Sequence, residues 1–141
     1  MSADLSLTVT STPTDEEYAA VGEGLAAFNE AAVGPSGFTQ LMVLVRDEVG
    51  SIVGGVYGYT HWGWLYIQRL WVAQDQRGHG LAGRMLTAAE AEARTRGCHG
   101  AWIDTFNPTA LKAYQRQGYT AFGALEDFPR GRTRTFLQKR L

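Results

Sequence analysis

The start of the chain has the hydrophobic spacing of a strand followed by a helix. Between residues 5 and 9, leucine and valine alternate with serine and threonine, a period that is typical of a half-buried strand. Thr14 and Glu17 then have the spacing of a capping box, and apolar residues recur at helical intervals up to about Glu30. Residues 31–40 contain a Gly-Pro-Ser-Gly break and leave room for at most a short second helix.

The middle of the chain predicts an antiparallel meander. Apolar segments cover residues 41–45, 52–60 and 64–72, and a polar, glycine-containing turn separates each segment from the next. Along the third and fourth predicted strands, alternation predicts two groups of side chains that each share a face. These groups are Tyr57, Tyr59 and His61 on the third strand, and Tyr66, Gln68 and Leu70 on the fourth.

Helices and strands alternate in the rest of the chain. The expected elements are a helix from Leu81 to Gly97, a strand over 101–105, a helix from Asn107 to about Gln117, and strands over 119–125 and 133–138. Asn107 is a typical N-cap because Pro108 follows it at the first helical position. The order βα-βββ-αβ-αβ-β predicts an α/β fold with about seven strands and three to four helices.

The surroundings of five side chains can be predicted near the C-terminal end of the helix that begins at Leu81. Glu90 and Arg94, like Glu92 and Arg96, are four residues apart, so both pairs are expected on the exposed side of the helix. Cys98 opens an apolar strand and is expected to be a buried structural thiol rather than a nucleophile.

The junction from Val72 to Gly83 has the strongest chemical signal. It joins a strand to a helix through polar residues and glycines. The first turn of a helix has unpaired N–H groups and the positive end of the helix dipole, so such a junction can bind a phosphate. Gly78 and Gly80 allow a ligand to approach the backbone, and Arg77 adds a positive charge. A solvent-exposed turn whose glycines only make the bend is the alternative.

Two ligand classes fit these glycines. Residues 78–83 match the dinucleotide fingerprint G-x-G-x-x-G, and Asp104 lies at about the expected distance downstream. That fingerprint has its first glycine directly at the end of a strand, whereas residues 74–78 intervene here. Too few residues follow Gly83 to complete a doubly wound sheet with a substrate domain. A nicotinamide-dependent oxidoreductase is therefore the weaker interpretation.

The second ligand class is coenzyme A. Residues 77–82, Arg-Gly-His-Gly-Leu-Ala, fit the pattern Arg/Gln-x-x-Gly-x-Gly/Ala, which resembles the coenzyme A diphosphate loop of the GNAT superfamily of N-acetyltransferases. A downstream motif also resembles that family and consists of Asn107, Ala110, Tyr114, Gly118 and Tyr119. The resemblance covers about residues 40–141. In the first 40 residues, only the order of the predicted strands and helices resembles that of the family. It implies a mostly antiparallel sheet that is splayed between the fourth and fifth predicted strands.

The resemblance also implies acetyl-CoA as cosubstrate, without a metal. N–H groups near residues 70–72 would polarise the thioester carbonyl, and those near 77–83 would hold the diphosphate. Asn107 would cap its helix and bond to the pantetheine arm or to the local loop. The implied cosubstrate-binding residues are Leu70, Trp71, Val72, Arg77, Gly78, His79, Gly80, Leu81, Ala82, Gly83 and Asn107.

Tyr114 is the catalytic residue that the resemblance implies. An unperturbed pKa near ~10 keeps its phenol protonated at neutral pH, and it would donate to the departing thiolate, whose conjugate acid is roughly 8.5 by analogy with cysteine. Ala110 and Leu111 share its helix face, so a helix-packing aromatic is the alternative interpretation.

The general base has no equally good candidate. Many members of the family have a glutamate on the fourth strand, where this chain has Tyr66 and Gln68, and neither is a base at neutral pH. A water relay is one replacement. The candidate side chains are Asp104, Glu126, Asp127 and His61.

Composition limits the domain organisation and the partners. With 141 residues, 45% of them hydrophobic, and a net charge of −1, the chain predicts one domain over residues 1–141 and no nucleic-acid or membrane partner. A homodimer is left open. The single cysteine indicates a reducing compartment, and no leader or membrane-length segment is evident, so a soluble cytoplasmic protein is expected. The charge run Arg130, Arg132 and Arg134 is expected at a solvated edge.

The resemblance therefore implies an acetyl-CoA-dependent N-acetyltransferase that acts on a primary amine of a small molecule or peptide, by direct attack in a ternary complex. The alternative is a non-catalytic acyl-CoA-binding or partner-binding module on the same fold, which the missing carboxylate on the fourth strand favours. Aromatic residues on the third and fourth strands are expected either to pack the sheet or to form a wall of the acceptor pocket.

Overall fold

The computed structural model describes residues 4–141, which fall into two compact units that divide between Ser36 and Gly37. The first unit contains one helix, and the second contains a sheet with two further helices. The expectation of one domain over the whole chain stays a prediction. Among the described residues, no helix is both long enough and apolar enough to cross a membrane.

The first unit is built around α1 (Asp15–Val33). The predicted capping box is confirmed: Thr14 Oγ1 accepts from the Glu17 N–H at 3.0 Å, and Glu17 Oε1 accepts from the Thr14 N–H at 2.8 Å. The N–H of Thr14 and its hydroxyl hold the pKa of the Glu17 carboxyl below its usual value. The strand expected at residues 5–9 is absent from the described chain, because alternation alone does not supply a neighbouring strand to pair with.

The second unit is an α/β structure around one six-stranded sheet, in the order β1-β2-β3-β4-β6-β5. All pairs are antiparallel except β3 with β4. The predicted fold class is confirmed, with six strands in place of about seven. The elements are β1 (Thr39–Arg46), β2 (Ile52–His61), β3 (Trp64–Val72), α2 (Leu81–Thr95), β4 (Gly100–Thr105), α3 (Pro108–Arg116), β5 (Thr120–Glu126) and β6 (Thr133–Arg140).

One face of the sheet forms the core with α2. The helix contributes Met85, Leu86, Ala89 and Ala93, and these positions repeat at the helical spacing seen in the sequence. Cys98 is buried beside them, and burial raises the pKa of its thiol, as expected for a structural cysteine. The sheet contributes Leu41, Val56, Leu65, Ile67, Ala101, Ile103 and Leu137.

A β-bulge at Gln68 changes the side-chain pattern of β3. The residues on either side of Gln68 pair with consecutive residues of β2, so Gln68 has no partner there. Leu65 and Ile67 point into the core before the bulge, whereas Leu70 packs against the core after it. The expectation that Tyr66, Gln68 and Leu70 share one face is therefore wrong, because the extra residue reverses the alternation.

A polar contact within this core corrects the expected position of Glu90. The Glu90 side chain is only 3% exposed, and it accepts from Lys139 Nζ at 2.7 Å and from the Tyr119 hydroxyl at 2.8 Å. Because it lies under β6, it is not on the exposed side of α2 and does not pair with Arg94. The second predicted pair is confirmed: Arg96 Nε donates to Glu92 Oε2 at 2.8 Å.

Candidate active site

The parallel strands β3 and β4 separate halfway along their length. They pair only from Trp64 with Gly100 to Ile67 with Ile103, and β3 then continues to Val72 without a β4 partner. The two strands are the fourth and fifth predicted ones, so the expected splay is confirmed. The sheet therefore has an internal opening, which we call the split, at the bulge of β3.

Backbone donors on β3 face this split. The Ala73 N–H donates to Val53 O of β2 at 2.8 Å, and N–H groups alternate between the two edges of a strand. Those of Leu70 and Val72 consequently face away from β2, whereas that of Trp71 faces β2. Two main-chain donors, rather than all three of the predicted ones, are thus directed into the split.

The junction after β3 is folded as a loop that leads directly into α2. A single turn of 3₁₀ helix (Gln74–Gln76) separates the strand from the glycines. Gly78 and Gly80 have φ of +82° and +73°, a left-handed conformation that favours glycine, and Gly80 is the N-cap of α2. Within the described residues, the N–H groups from Gly78 to Gly83 donate to no protein acceptor. The helix start is therefore open to an anionic group.

The split and the loop border the same cavity, of about 610 Å³. All of the predicted cosubstrate-binding residues line it except His79, which is an exposed loop residue, and Tyr114 lines it as well. The cavity also has lining residues that were not predicted, mostly on α3. They are Gln76, Thr109, Ala110, Ala113, Arg116 and Gln117.

Spacing along α3 could have identified most of these additional residues. Ala110, Ala113, Tyr114 and Gln117 recur at intervals of three and four, so they form one stripe of the helix. If Tyr114 lines a site, the residues three and four positions away on the same helix face are expected to line it as well. At the start of the helix, Asn107 Oδ1 accepts from the N–H groups of residues 109 and 110 at 2.8 and 3.2 Å, which confirms the N-cap.

Tyr114 is 6% exposed, and its hydroxyl is open to the cavity. This hydroxyl makes no hydrogen bond within the described residues. Every fully buried polar side-chain atom of those residues has a hydrogen-bond partner, so the Tyr114 hydroxyl is not fully buried. Burial, together with the negative charge of Asp104, raises the pKa of Tyr114 to about 12. The phenol is therefore protonated throughout the physiological pH range.

Asp104 is the first residue of β4 beyond the segment that pairs with β3, so its carboxylate lies at the mouth of the split. Oδ1 accepts from Arg134 Nε at 2.8 Å, and Oδ2 accepts from the Tyr66 hydroxyl at 3.1 Å. Burial, followed by the charge of Asp104, raises the pKa of Tyr66 to about 12. The expectation that Arg134 lies on a solvated edge is wrong, because this ion pair holds it beside β4.

The other base candidates lie in different surroundings. Glu126 ends β5, and Asp127 accepts from the Gly131 N–H within the loop that follows. His61 packs against aromatic rings at the far end of β2. Of the predicted candidates, Asp104 is the one whose charge acts on Tyr114.

Comparisons with known proteins agree with this geometry. Acetyltransferase Atu2258 of Agrobacterium fabrum is 44% identical over 125 residues, which are 89% of this chain and 91% of that protein. A Blasticidin-S acetyltransferase of Streptomyces morookaense is 40% identical over 95 residues, 67% of this chain and 70% of that one. The crystal structure of an acetyltransferase from Agrobacterium tumefaciens superposes with a TM-score of 0.92 at 40% identity, over 97% of this chain and all of the other.

The sequence model of the acetyltransferase (GNAT) family matches residues 9–119. This match includes β3, the glycine loop and α3, so the dinucleotide interpretation of the same glycines is wrong. The protein is an acetyl-CoA-dependent acyltransferase, as the two motifs predict. The chain belongs to the acetyltransferase (GNAT) family.

Proposed function

We propose that this protein transfers the acetyl group of acetyl-CoA to a primary amine of a small molecule or peptide, by direct attack in a ternary complex. The observation that carries the proposal is the single cavity of about 610 Å³ that joins the glycine loop, the split and the Tyr114 hydroxyl. Holding both reactants beside these groups converts a bimolecular reaction into an effectively unimolecular one.

The loop fits the diphosphate of the cosubstrate. A Cβ added to Gly78 or Gly80 would meet no protein atom within 4 Å, so space for a ligand lies directly above the backbone there. The N–H groups from Gly78 to Gly83 and the Arg77 guanidinium would bind the phosphates at the positive end of α2. Acetyl-CoA supplies the acetyl group as an activated thioester.

The N–H groups of Leu70 and Val72 would bind the thioester oxygen. They face the split, where they are fixed by the β2–β3 ladder before any substrate is present. Donors that are already oriented towards a developing negative charge lower the barrier without reorganisation. The protein thus polarises the carbonyl with its main chain rather than with a charged side chain.

Tyr114 would stabilise the departing thiolate. With a pKa of about 12, its phenol is a weaker acid than a thiol of roughly 8.5, so complete proton transfer in the ground state is unfavourable. A hydrogen bond that strengthens as the sulfur becomes negative remains favourable. Burial of the site strengthens that bond because the effective dielectric constant is low.

The amine is expected to reach the split in its neutral form. Asp104 is engaged by Arg134 and Tyr66, and Gln68 cannot accept a proton at neutral pH. Solvent, or a water relay, would take the proton of the amine. The similarity to a Blasticidin-S acetyltransferase supports a small-molecule acceptor over a protein amino terminus.

A screen of primary amines with acetyl-CoA, detecting the released thiol, tests the proposal. Acetylated product whose formation depends on both reactants is expected. Binding of acetyl-CoA without turnover across amines of different classes would favour the non-catalytic binding module. Failure to bind acetyl-CoA would contradict the assignment of the cavity.

A further inference from the structure

The sheet face opposite α2 has a hollow beside the split. Leu44 of β1, Gly55 of β2 and Trp71 of β3 lie side by side there, because Gly55 pairs with Leu44 on one side and with Trp71 on the other. Since Gly55 has no side chain, its two larger neighbours border a depression over β2. The hollow has a volume of about 570 Å³, within the range of small-molecule sites.

The hollow shares Trp71 with the cavity that contains the glycine loop and the split. Trp71 lies between Leu70 and Val72, whose N–H groups face the split. The hollow and the split are therefore on opposite sides of the same segment of β3, with centres roughly 10 Å apart, twice the spacing of neighbouring strands. A small molecule can occupy the hollow and reach the split without crossing another strand.

The walls of the hollow are apolar and exposed. Met42, Leu44 and Ile52 contribute aliphatic side chains, and Trp71 contributes an indole ring. All four are at least 43% exposed. An apolar group of a ligand would remove this surface from water, which favours binding.

Arg69 adds a positive charge to the lining of the hollow. It lies two residues before Trp71 on β3, so both side chains are on the same face, about 7 Å apart along the strand. Within residues 4–141, its guanidinium forms no ion pair and no hydrogen bond. Arg134, on the other side of the split, is paired with Asp104. The donors of Arg69 are therefore left to bind an anionic group such as a carboxylate.

We propose that the acceptor is an apolar amino acid, bound with its carboxylate at Arg69, its side chain in the hollow and its α-amine directed into the split. This inference rests on the proposed function and specifies the class of acceptor. The three groups branch from one carbon, so binding of the carboxylate and the side chain positions the amine. The neutral amine nitrogen would form the amide bond, the carbon–sulfur bond of the thioester would break, and CoA thiolate and one proton would leave.

L-Tryptophan and tryptamine differ only in the carboxylate and therefore test Arg69. We expect the ratio of their kcat/KM values, amino acid to amine, to fall about tenfold in Arg69→Gln, the effect of one lost hydrogen bond between charged groups. Both compounds are measured with every variant, so the difference between their own amine pKa values cancels. Arg84→Gln is the control, because Arg84 is exposed on α2 and lines neither the hollow nor the cavity, and it should keep the wild-type ratio.

L-Tryptophan and L-alanine test the hollow, because they differ only in the side chain. We expect the wild type to have a kcat/KM about tenfold higher for L-tryptophan. Leu44→Thr makes one wall polar and should reduce this preference severalfold. Leu125→Thr is the matched control: both leucines are on edge strands of the sheet, 43% and 49% exposed, and Leu125 lies outside the hollow.

The inference is overturned if the wild type does not prefer L-tryptophan to L-alanine, or if either variant behaves like its control. Calorimetric titration of L-tryptophan into protein saturated with CoA needs no turnover, and absence of binding, or a Kd that Arg69→Gln leaves unchanged, would overturn it as well. A failure of the proposed function is a separate result, namely loss of acetyl-CoA binding or of turnover with every amine.

Discussion

Arg77 is bonded to the end of the strand that precedes it: its Nε donates to Val72 O at 2.9 Å. Val72 also carries one of the two N–H groups that face the split. The loop that we propose to bind the diphosphate and the strand that we propose to bind the carbonyl are therefore connected by one side chain. Because Nε is occupied, the outer nitrogens of the guanidinium are left to bind a phosphate in this proposal.

This connection predicts that a positive charge alone at position 77 does not give the acetyl-CoA affinity that Arg77 gives. Arg77→Lys keeps the positive charge but loses the planar group that bonds to Val72 and to a phosphate together. We expect the Kd for acetyl-CoA to rise about tenfold, the effect of one lost hydrogen bond to a charged group. Arg84→Lys, an exposed position of α2 outside the cavity lining, is the control in calorimetry and should bind normally. Equal affinity of the two variants would contradict the role of Arg77.

The second prediction concerns Tyr114. Tyr114→Phe keeps the buried ring and removes a hydroxyl that no group of residues 4–141 binds, so stability and acetyl-CoA affinity should change little. Loss of one positioned donor to a developing anion lowers the rate by about 10²–10³, and kcat should fall by that order if thiolate departure limits turnover. Tyr57→Phe is the control, because its hydroxyl bonds to Gln40 outside the cavity. Wild-type kcat and kcat/KM in Tyr114→Phe would show that Tyr114 only packs the helix.

The pH dependence of the reaction is the third prediction. Since Tyr114 has a pKa of about 12, it keeps its proton over the whole accessible range and causes no alkaline loss of activity. The neutral fraction of an alkylamine with a pKa near ~10.4 rises about tenfold per pH unit below that value. We expect log kcat/KM to rise with pH at a slope near one up to the pKa of the amine. An inflection near pH ~6–7 would instead show that a side chain of the protein acts as the base.

The fourth prediction compares two glutamates on α2. Glu90→Gln removes the charge that pairs with Lys139 in the core, and the remaining unpaired ammonium should cost about 3 kcal/mol of unfolding free energy. Glu92→Gln, the same change at an exposed ion pair, should cost less than about 1 kcal/mol. Urea unfolding of both variants measures the difference. Similar losses in both would show that the Glu90 contact contributes no more than a surface pair.

The parts of the fold that depend on local periodicity could be predicted from the sequence. The stripe from Leu81 to Ala93, the Thr14 capping box and the Asn107 cap each involve residues within a few positions of one another. The pairing of strands that are distant in the sequence cannot be predicted from local periodicity. Residues 5–9 alternate like a strand, but alternation does not specify a partner, and the six-stranded sheet begins at Thr39.

Two further differences between the predicted and the observed structure also arise from contacts between distant parts of the chain. The bulge at Gln68 depends on the register between β2 and β3, which a single strand does not encode, so alternation predicts the wrong relative faces for Tyr66 and Leu70. Glu90 was expected on an exposed face because its partner Lys139 is 49 positions away in the chain. A buried charge with a distant partner gives no local signal.

The cavity could be predicted largely because its parts are local motifs. The glycines that need a left-handed φ, the helix start and the Asn–Tyr spacing each lie within one short segment. The stack of Tyr66 on Trp102 could not be predicted, since the two rings come from β3 and β4 and only the sheet order brings them together.

The fifth prediction concerns the loop before α2, which we propose holds acetyl-CoA. A valine side chain at Gly80 would fill the space above the loop backbone, so Gly80→Val should abolish binding of acetyl-CoA. The substitution also strains a backbone with φ of +73°, and Gly97→Val is matched for this effect, with φ of +84° and equally open space at the other end of the same helix.

Calorimetric titration of acetyl-CoA into folded wild type, Gly80→Val and Gly97→Val is therefore the most direct measurement. We expect normal binding in wild type and Gly97→Val and no detectable binding in Gly80→Val. Unchanged affinity in a folded Gly80→Val protein would contradict the assignment of this loop to acetyl-CoA.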